Sequence, residues 1–240
     1  MGHESEVENA GDYRRRMVAG RPIFFSRDQD CEIRVFLNTC PHRGAMICRR
    51  DEGNAKIFQC FYHAWSFNSQ GELVGMPDEA VYGEGFDRKE LSLSPPPIVA
   101  SYRGFYFLSY NPEIEELVTY LAGAKEYLGL IVIVDQTELG LKTIRGSNKH
   151  HIKADWKLLA ENSIDGYHVF PTHQTYWDYM ELEGMKTPKS RPGIGRSLGN
   201  GHVVMGNDCL YGPPIAFWNT LFGEEAKEPI AKIRARLVEK

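Results

Sequence analysis

The sequence lacks a long apolar run and an apolar leader. Its longest apolar stretch, Leu128 to Val134, is interrupted by Gly129 and is far shorter than the roughly 20 residues that a transmembrane helix needs. The first 13 residues contain no apolar core of the kind found in secretory signal peptides. These absences predict a cytoplasmic protein that does not cross a membrane.

The sequence also lacks an excess of basic residues and an even set of cysteines. Its 28 Lys and Arg residues are balanced by 32 Asp and Glu residues, so the net charge is -4 and the sequence pI is about 6.1. This balance argues against nucleic acid and anionic membranes as partners and leaves small soluble molecules as the default. If two of the five cysteines bind metal, three free thiols remain, as expected in a reducing compartment. Those three are Cys31, Cys48 and Cys209.

The first half of the chain has the pattern of a small antiparallel β domain. Short β-branched or aromatic runs alternate there with polar turns. The runs are Arg21–Arg27, Glu32–Asn38, Ala55–Gln59 and Gly104–Tyr110. The pattern changes after Asn111, so we expect a first domain over residues 1–111 and a second over residues 112–240, with an α+β fold class.

Helical and extended patterns alternate in the second domain. Apolar residues at helical spacing from Ile114 to Leu121 predict a helix whose first turn contains three glutamates, which complement the helix dipole. Leu141–Lys153 is predicted to be extended, and Ala154–Asn162 is predicted to be a helix that Asp155 caps. His202–Met205 has a strand-like composition within a Gly-rich segment.

The end of the chain carries an apolar stripe at helical spacing. Ala226, Ile230, Ile233 and Leu237 step by 4, 3 and 4 residues. No Gly, Asn or Pro stop signal follows before Lys240, which predicts that the chain is a fragment of a longer one.

Two short segments each supply one cysteine and one histidine. Cys40 and His42 lie in the first segment, Cys60 and His63 lie in the second, and 17 residues separate His42 from Cys60. This spacing predicts two facing loops of a Rieske [2Fe–2S] site, in which Cys40 and Cys60 hold one iron and the histidines hold the other. A tetrahedral zinc site is the alternative, although zinc fingers place two cysteines together and two histidines together.

A second pair of histidines, His168 and His173, lies in the other half of the chain. On a continuous helix, five residues would place them about 140° apart, and Pro171 disfavours a continuous helix. A helix end that unwinds into a loop can bring both imidazoles to one metal, as in sites with two histidines and one carboxylate. By itself this spacing is more often that of ordinary surface or core histidines.

Together these segments resemble the large (α) subunits of Rieske non-haem iron aromatic-ring-hydroxylating oxygenases. The similar segments are Asn38–Ala45, Cys60–Phe67, Gly71–Leu73 and Glu161–His173. Respiratory Rieske proteins carry two further cysteines, where this sequence has Ala45 and Tyr62, so the oxygenase type is favoured. Ala64 is a departure, because many family members have Gly there.

The resemblance implies an antiparallel β Rieske domain followed by an incomplete helix-grip-like α+β catalytic domain. It implies that His168 and His173 bind a mononuclear Fe(II). Asp165 would then be the carboxylate bridge for electrons between the two centres, and Asn162 would lie near the iron. The alternatives are a helix-end carboxylate in a turn with Gly166 for Asp165, and a helix C-terminal cap for Asn162.

The third iron ligand of the family is an Asp well over a hundred residues after the second histidine. Only 67 residues follow His173, and the aspartates among them, Asp178 and Asp208, do not lie at that position. We therefore assign no third ligand. Either it lies beyond the end of this chain, or this protein does not hold iron in the usual way. The resemblance covers nearly the whole chain, which would be roughly the first half to two-thirds of the family's length.

The function implied by the resemblance is hydroxylation or dihydroxylation of an aromatic compound with O2. NADH would supply electrons through a separate flavin reductase, a ferredoxin or both, and they would pass from His63 or His42 through Asp165 and His168 to the iron. The family implies a homotrimer in which each cluster serves its neighbour's iron, with or without a small β subunit. Benzoate-like or salicylate-like acids and polycyclic aromatics are the nearest substrates. The alternative is an electron-transfer protein whose second domain is a binding or docking module without functional iron.

Overall fold

The computed structural model describes residues 1–83, 85–133, 142–144, 146, 148, 150–184 and 194–206. The chain divides into two compact units. The first comprises Met1–Leu117 with Leu141–Arg145, and the second comprises Val118–Gly140 with Gly146–Lys240. Within the described residues, no helix has the length and apolar character needed to span a bilayer.

The first unit is built from antiparallel strands. The strands are β1 (Gly2–His3), β2 (Asp12–Val18), β3 (Arg21–Arg27), β4 (Ile33–Leu37), β5 (Glu52–Asn54), β6 (Ile57–Gln59), β7 (Ser66–Asn68), β8 (Leu73–Gly75), β9 (Ile98–Tyr102) and β10 (Phe105–Ser109). They form one four-stranded sheet, β4-β3-β2-β5, and two three-stranded sheets, β1-β10-β9 and β6-β7-β8. Short 3-10 turns lie at Glu4–Glu6, Glu79–Tyr82 and Arg88–Leu91. The predicted antiparallel β domain is confirmed.

Strand β3 separates two apolar cores because successive side chains of a strand point to opposite faces. Phe24 packs into a core cluster that also contains Cys40 and Cys60. Its neighbours Ile23 and Phe25 pack into a second cluster on the other face. One face of β3 therefore packs against the core that contains the two cysteines. The strand predicted at Arg21–Arg27 has the predicted bounds.

The second unit consists mainly of helices. Its elements are α1 (Leu117–Leu121), which begins at the unit boundary, α2 (Ala124–Ile133), α3 (Trp156–Ile164), α4 (Val169–Thr172), α5 (Gln174–Leu182), and the hairpin β11 (Ile194–Gly199) and β12 (His202–Gly206). Asp155 caps α3 as predicted, because its Oδ1 accepts a hydrogen bond of 2.9 Å from the Lys157 N–H. The strand predicted at His202 is also present.

The predicted start of the first helix is wrong. Helix α1 begins at Leu117 rather than near Ile114. The Asn111 side chain accepts a hydrogen bond of 3.0 Å from the Glu113 N–H, and the Asn111 carbonyl accepts one from the Ile114 N–H. This local turn competes with helix formation, so the glutamates precede the helix instead of forming its first turn.

Two other predictions fall partly or wholly outside the described residues. The segment predicted to be extended, Leu141–Lys153, is described only in pieces, and those pieces contain no helix or strand. The apolar stripe from Ala226 to Leu237 lies entirely outside the described residues, as do Asp208 and Cys209.

Candidate functional site

The two Cys/His loops share one backbone design. The first loop follows β4, and the second joins β6 to β7. In each loop, the cysteine carbonyl accepts a hydrogen bond from the N–H four residues later, and the cysteine N–H donates to the carbonyl five residues later. These bonds are Gly44 N–H to Cys40 O (2.9 Å), Cys40 N–H to Ala45 O (2.8 Å), Ala64 N–H to Cys60 O (2.9 Å) and Cys60 N–H to Trp65 O (2.8 Å). The two cysteines are therefore fixed in equivalent positions.

Both loops turn through a left-handed residue at the same point. Gly44 has φ of 72° and Ala64 has φ of 56°. Glycine adopts this conformation freely, whereas an L-residue with a side chain is strained there. Ala64 therefore reaches the loop geometry at an energetic cost that Gly44 avoids.

The two thiols face each other inside the core. The side chains of Cys40 and Cys60 are 2% and 1% exposed and lie within hydrogen-bonding reach of each other. Burial raises the pKa of Cys40, and the neighbouring Cys60 adds to this effect. The backbone N–H groups of His42 and Arg43 point at the Cys40 sulfur and oppose the rise. The same amides are placed to stabilise a metal-bound thiolate.

The two imidazoles also face each other. The ring centroids of His42 and His63 are 4.5 Å apart. His42 stacks on the buried Trp65 ring, with centroids 4.7 Å apart and planes within 6°, and His63 contacts Tyr62. Burial, the nearby His63 and Arg43 lower the pKa of His42, which favours the neutral imidazole that binds metals.

Among the described residues, one buried ring nitrogen in this site lacks the hydrogen bond that such atoms normally make. Within the described ranges, the buried Nδ1 of His42 has no hydrogen-bond partner. Buried ring nitrogens are normally satisfied, and an exception calls for a missing partner such as a metal ion. Thiol lies beside thiol and imidazole beside imidazole, which is how a cluster with two unlike irons is held. The four residues thus fit a Rieske [2Fe–2S] cluster.

The core also contains a further buried cysteine, Cys48. Burial raises the pKa of the Cys48 thiol to about 12, so it remains protonated at neutral pH. The exposed Cys31 and the buried Cys48 are both free thiols, as the sequence predicted.

In the second unit, His168 and His173 flank the short helix α4. Helix α3 ends before Asp165, whose backbone is extended, and His173 has φ of -104° and ψ of 31° between α4 and α5. The expected break in the helix is therefore confirmed. Pro171 occupies the first turn of α4, where its missing N–H breaks no helical hydrogen bond.

This break brings the two imidazoles together with a carboxylate. The ring centroids of His168 and His173 are 5.5 Å apart. Asp165 Oδ2 lies 3.1 Å from His168 Nδ1, and its Oδ1 accepts a hydrogen bond of 2.8 Å from the Tyr167 N–H. The Tyr167 N–H and then His168 lower the pKa of Asp165, which keeps the carboxylate charged. With Nδ1 on the carboxylate, the Nε2 of His168 is the nitrogen left for a metal.

Asp165 is the helix-end carboxylate of α3, and it also contacts His168; its role as an electron bridge stays a prediction. Asn162 lies inside α3, two residues before its last residue Ile164, so its alternative description as the helix C-terminal cap is wrong. The cap position belongs to Asp165.

A third protein ligand for this pair does not appear in the part of the chain that the structure describes. There, no group of three or more His, Cys, Asp or Glu side chains is arranged to hold one metal ion. Asp178 is exposed and accepts a hydrogen bond from Gln174.

Two buried residues at the cluster site, Asn38 and Trp65, have roles that were not foreseen from the sequence. Asn38 is 1% exposed, and its side chain contacts the backbone of Cys48 at both N–H and carbonyl. Trp65 lies in a motif that was recognised, but its stacking on His42 was not foreseen. An Asn directly before a Cys/His loop is a weak signal, since its partner lies ten residues away.

A family model for the Rieske [2Fe–2S] domain matches residues 1–102, and it favours the cluster over the zinc alternative. The 2-halobenzoate 1,2-dioxygenase large subunit of Burkholderia cepacia is 36% identical over 189 residues, which are 78% of this chain and 40% of that protein. The chlorobenzene dioxygenase α subunit of Cupriavidus sp. (strain PS12) is 40% identical over 72% of this chain and 38% of its own length. The chain thus spans about two fifths of the length of these curated relatives.

Solved structures extend the likeness to the second unit. The crystal structure of naphthalene 1,2-dioxygenase from Rhodococcus sp. bound to indole superposes with a TM-score of 0.77 at 32% identity, over 97% of this chain and 52% of that chain. A quaternary ammonium Rieske monooxygenase superposes with a TM-score of 0.63 at 29% identity, over 73% of this chain and 48% of its own. The fold class predicted from the sequence is confirmed. The matched domain shows that residues 1–102 form a Rieske [2Fe–2S] domain, and the similarity beyond residue 102 makes this chain similar to the large (α) subunits of Rieske aromatic-ring-hydroxylating oxygenases.

Proposed function

We propose that this chain works in an oxygenase that hydroxylates or dihydroxylates an aromatic compound with O2. Residues 1–111 would hold a Rieske cluster, and residues 112–240 would contribute to a mononuclear Fe(II) site. The observation that carries this proposal is the pairing of buried thiols and facing imidazoles around the unpartnered His42 Nδ1. The relatives named as dioxygenases of halobenzoate, chlorobenzene and naphthalene support an aromatic substrate.

In this proposal, Cys40 and Cys60 bind one iron of the cluster, and His42 and His63 bind the other. The backbone N–H groups directed at Cys40 favour its thiolate, and Trp65 fixes the plane of the His42 ring. When bound, the cluster supplies one-electron transfer and the mononuclear iron supplies O2 activation. The protein's own contribution is to hold these ligands at fixed positions before the metals arrive.

Asp165 has a distinct role in the proposed site. Its carboxylate holds the Nδ1 proton of His168, which sets the ring orientation and makes Nε2 a better ligand. With His173 as the second ligand, this unit supplies two imidazoles and a carboxylate that supports one of them. We propose that Asp165 also forms the electron bridge to a Rieske histidine of a neighbouring subunit, and that Asn162 lies near the iron.

The proposed partners follow from the same family. Electrons would come from NADH through a flavin reductase, a ferredoxin or both, and the chains would assemble as a trimer. Relatives called large or α subunits support the presence of a smaller β subunit. Benzoate-like acids and polycyclic aromatics are the proposed substrate classes. Free thiols at Cys31 and Cys48 are consistent with a cytoplasmic location.

One observation favours a second candidate function. Across the described residues, no third ligand accompanies His168 and His173. The chain would then be an electron-transfer protein whose second unit is a docking or binding module without functional iron.

Metal stoichiometry and variants separate the two candidates. The full chain is reconstituted without oxygen, using Fe(II) and sulfide, and iron and acid-labile sulfide are counted. Two sulfides and three irons per chain support the oxygenase, whereas two sulfides and two irons per chain support the electron carrier. Cys60→Ser should abolish the Rieske EPR signal and the sulfide. The matched control Cys31→Ser should leave both unchanged, because Cys31 is exposed and lies outside both loops.

The second metal site has its own variant. His168→Ala should remove the third iron and leave the sulfide content and the Rieske EPR signal unchanged. If the third iron persists in His168→Ala, the assignment of His168 as an iron ligand is wrong. If Cys60→Ser keeps an intact Rieske signal, the cluster assignment itself is wrong.

A further inference from the structure

We infer that Asn38 is a positioning residue that closes the Cys40 loop and thereby sets the electronic environment of the cluster. The inference rests on the proposed cluster site and goes beyond it, because Asn38 is not a ligand. It follows from comparing how the two Cys/His loops are closed at their bases.

The Cys60 loop is closed by strand pairing. Residues on either side of it form an antiparallel ladder, with Gln59 opposite Ser66 and Phe58 opposite Phe67. The cross-strand backbone hydrogen bonds of β6 and β7 hold the two ends of the loop at a fixed separation.

The Cys40 loop has no such ladder in the described structure. Strand β4 ends at Leu37 and lies at the edge of its sheet, paired with β3 alone. The backbone N–H of Asn38 donates to the Pro22 carbonyl, so this N–H is already engaged away from the loop. Outside the hydrogen bonds that close the loop between Cys40 and Ala45, a side chain takes the place of the ladder.

The Asn38 side chain makes this connection. Its Nδ2 donates a hydrogen bond of 2.9 Å to the Cys48 carbonyl, and its Oδ1 accepts one of 2.8 Å from the Cys48 N–H. One side-chain amide thus replaces the pair of backbone hydrogen bonds that a facing strand would supply. The segment from Asn38 to Cys48 contains both Cys40 and His42.

Burial makes this link strong and selective. Asn38 and Cys48 are 1% and 4% exposed, so water cannot replace either hydrogen bond if the amide is removed. Among the natural side chains, a primary amide offers one donor and one acceptor at the spacing that a backbone N–H and carbonyl require. Asn38 is therefore suited to this position in a way that an apolar residue of similar size is not.

The position of the loop matters for the cluster because the loop also carries N–H groups that point at sulfur. The backbone N–H groups of His42 and Arg43 are directed at Cys40. Hydrogen bonds to cluster sulfurs stabilise the more negative, reduced state and so raise the reduction potential. A loop that is no longer held at its base would weaken these bonds and lower the potential.

The test uses the full chain carrying its [2Fe–2S] cluster and compares it with Asn38→Ala. We expect Asn38→Ala to shift the midpoint potential downward in an EPR-monitored redox titration and to change the g values of the reduced cluster. Asn38→Gln keeps the amide donor and the amide acceptor on a side chain that is one methylene longer. It should therefore fold even if Asn38→Ala does not, and it should lower the midpoint potential by less.

Two controls separate positioning from general loss of stability. Asn68→Ala removes a comparable amide that accepts hydrogen bonds from Gln70 and Glu72 in a turn between β7 and β8. Val7→Ala removes buried apolar volume from the core cluster on the other face of β3. Both should lower the melting temperature and leave the midpoint potential unchanged.

The inference is overturned if Asn38→Ala has the potential and g values of the unmodified chain, or if a control shifts the potential equally. Failure of the proposed function looks different, because the unmodified chain would then show no Rieske EPR signal at all. A Rieske signal that Asn38→Ala leaves unmoved refutes only the role of Asn38.

Discussion

The two units differ in how deeply they bury their candidate ligands. Among the described residues, the buried apolar side chains lie in the first unit except for Leu121 and Met180. Cys40 and Cys60 belong to that core, whereas His173 lies on an exposed stretch of the second unit. In the first unit the packed core fixes the ligands. In the second unit a local break between helices brings the histidines together.

The largest expected effect comes from a Leu→Ala substitution, which removes the same atoms from each unit. Leu73 is 4% exposed in the core with the cysteines, and Leu159 is 60% exposed on α3. We expect Leu73→Ala to lower the free energy of unfolding by about 2–5 kcal/mol, because it leaves a cavity. Leu159→Ala should change it by less than about 0.5 kcal/mol. Urea unfolding measures both values, and equal losses would contradict the contrast between the units.

A smaller effect is expected for a buried carboxylate of the first unit. Burial alone would raise the pKa of Asp28, but hydrogen bonds from Arg34 and from the N–H groups of Glu32 and Asp30 outweigh it and hold this pKa below its ordinary value of 3.8. A lowered pKa in the folded state contributes stability above the unfolded pKa, and this is lost as the pH falls through the folded pKa. We expect stability to decline below about pH 4.

Asp28→Asn should remove that part of the acid dependence and lower the free energy of unfolding at pH 7 by about 1.5–3 kcal/mol, the range for hydrogen bonds to charged groups. Chemical unfolding between pH 3 and 7 measures the change. Asp165→Asn is the control in the second unit. Asp165 is exposed, so solvent screens the interactions that lower its pKa, and its replacement should change the pH profile less than that of Asp28 does. An unaltered profile in Asp28→Asn would show that the ion pair with Arg34 does not contribute.

The smallest expected effect is one that the two units should share. Ala64 in the first unit and Ala122 in the second both have left-handed backbones, with φ of 56° and 45°. Replacement by Gly relieves a strain of roughly 1–2 kcal/mol, partly offset by the greater freedom of glycine in the unfolded chain. Each variant should gain up to about 1 kcal/mol in thermal unfolding, because backbone strain does not depend on the surrounding core.

The converse substitution in the first loop checks the same reasoning. Gly44→Ala should lose about 1 kcal/mol through its positive φ alone. The nearest atom to its added Cβ would be Thr39 Cγ2 at 3.9 Å, so no steric clash contributes. If Gly44→Ala is neutral, the left-handed turn is not a source of strain in these loops.

The features that the sequence predicted well depend on local signals. Strand β3 was predicted with its bounds because a polar turn follows its apolar run. The Asp155 cap was predicted because N-caps act within three residues. The start of α1 was missed because the Asn111 side chain competes with the helix through a turn that apolar spacing does not reveal. The role of Asn38 was not foreseen because its hydrogen-bond partner, the backbone of Cys48, lies ten positions away in sequence and comes close only in the folded chain.

The candidate sites divide in the same way. The four cluster residues could be predicted because each loop is short and contains its own Cys and His. The pairing of His168 with Asp165 could be foreseen only through the family resemblance, since the spacing alone fits many ordinary histidines. The stacking of Trp65 on His42 depends on how the two loops pack against each other, and no periodic pattern in the sequence predicts that packing.

The pairing of β1 with β10 has a consequence for the order of assembly. Gly2 lies opposite Tyr106, so the first strand can find its partner only after more than a hundred residues have left the ribosome. Cys40 to His63 span only 24 residues, and chain closure over so short a distance is fast and entropically cheap. During synthesis the metal-binding loops can thus form before β1 pairs with β10. Strand β1 is made before these loops and is paired after them.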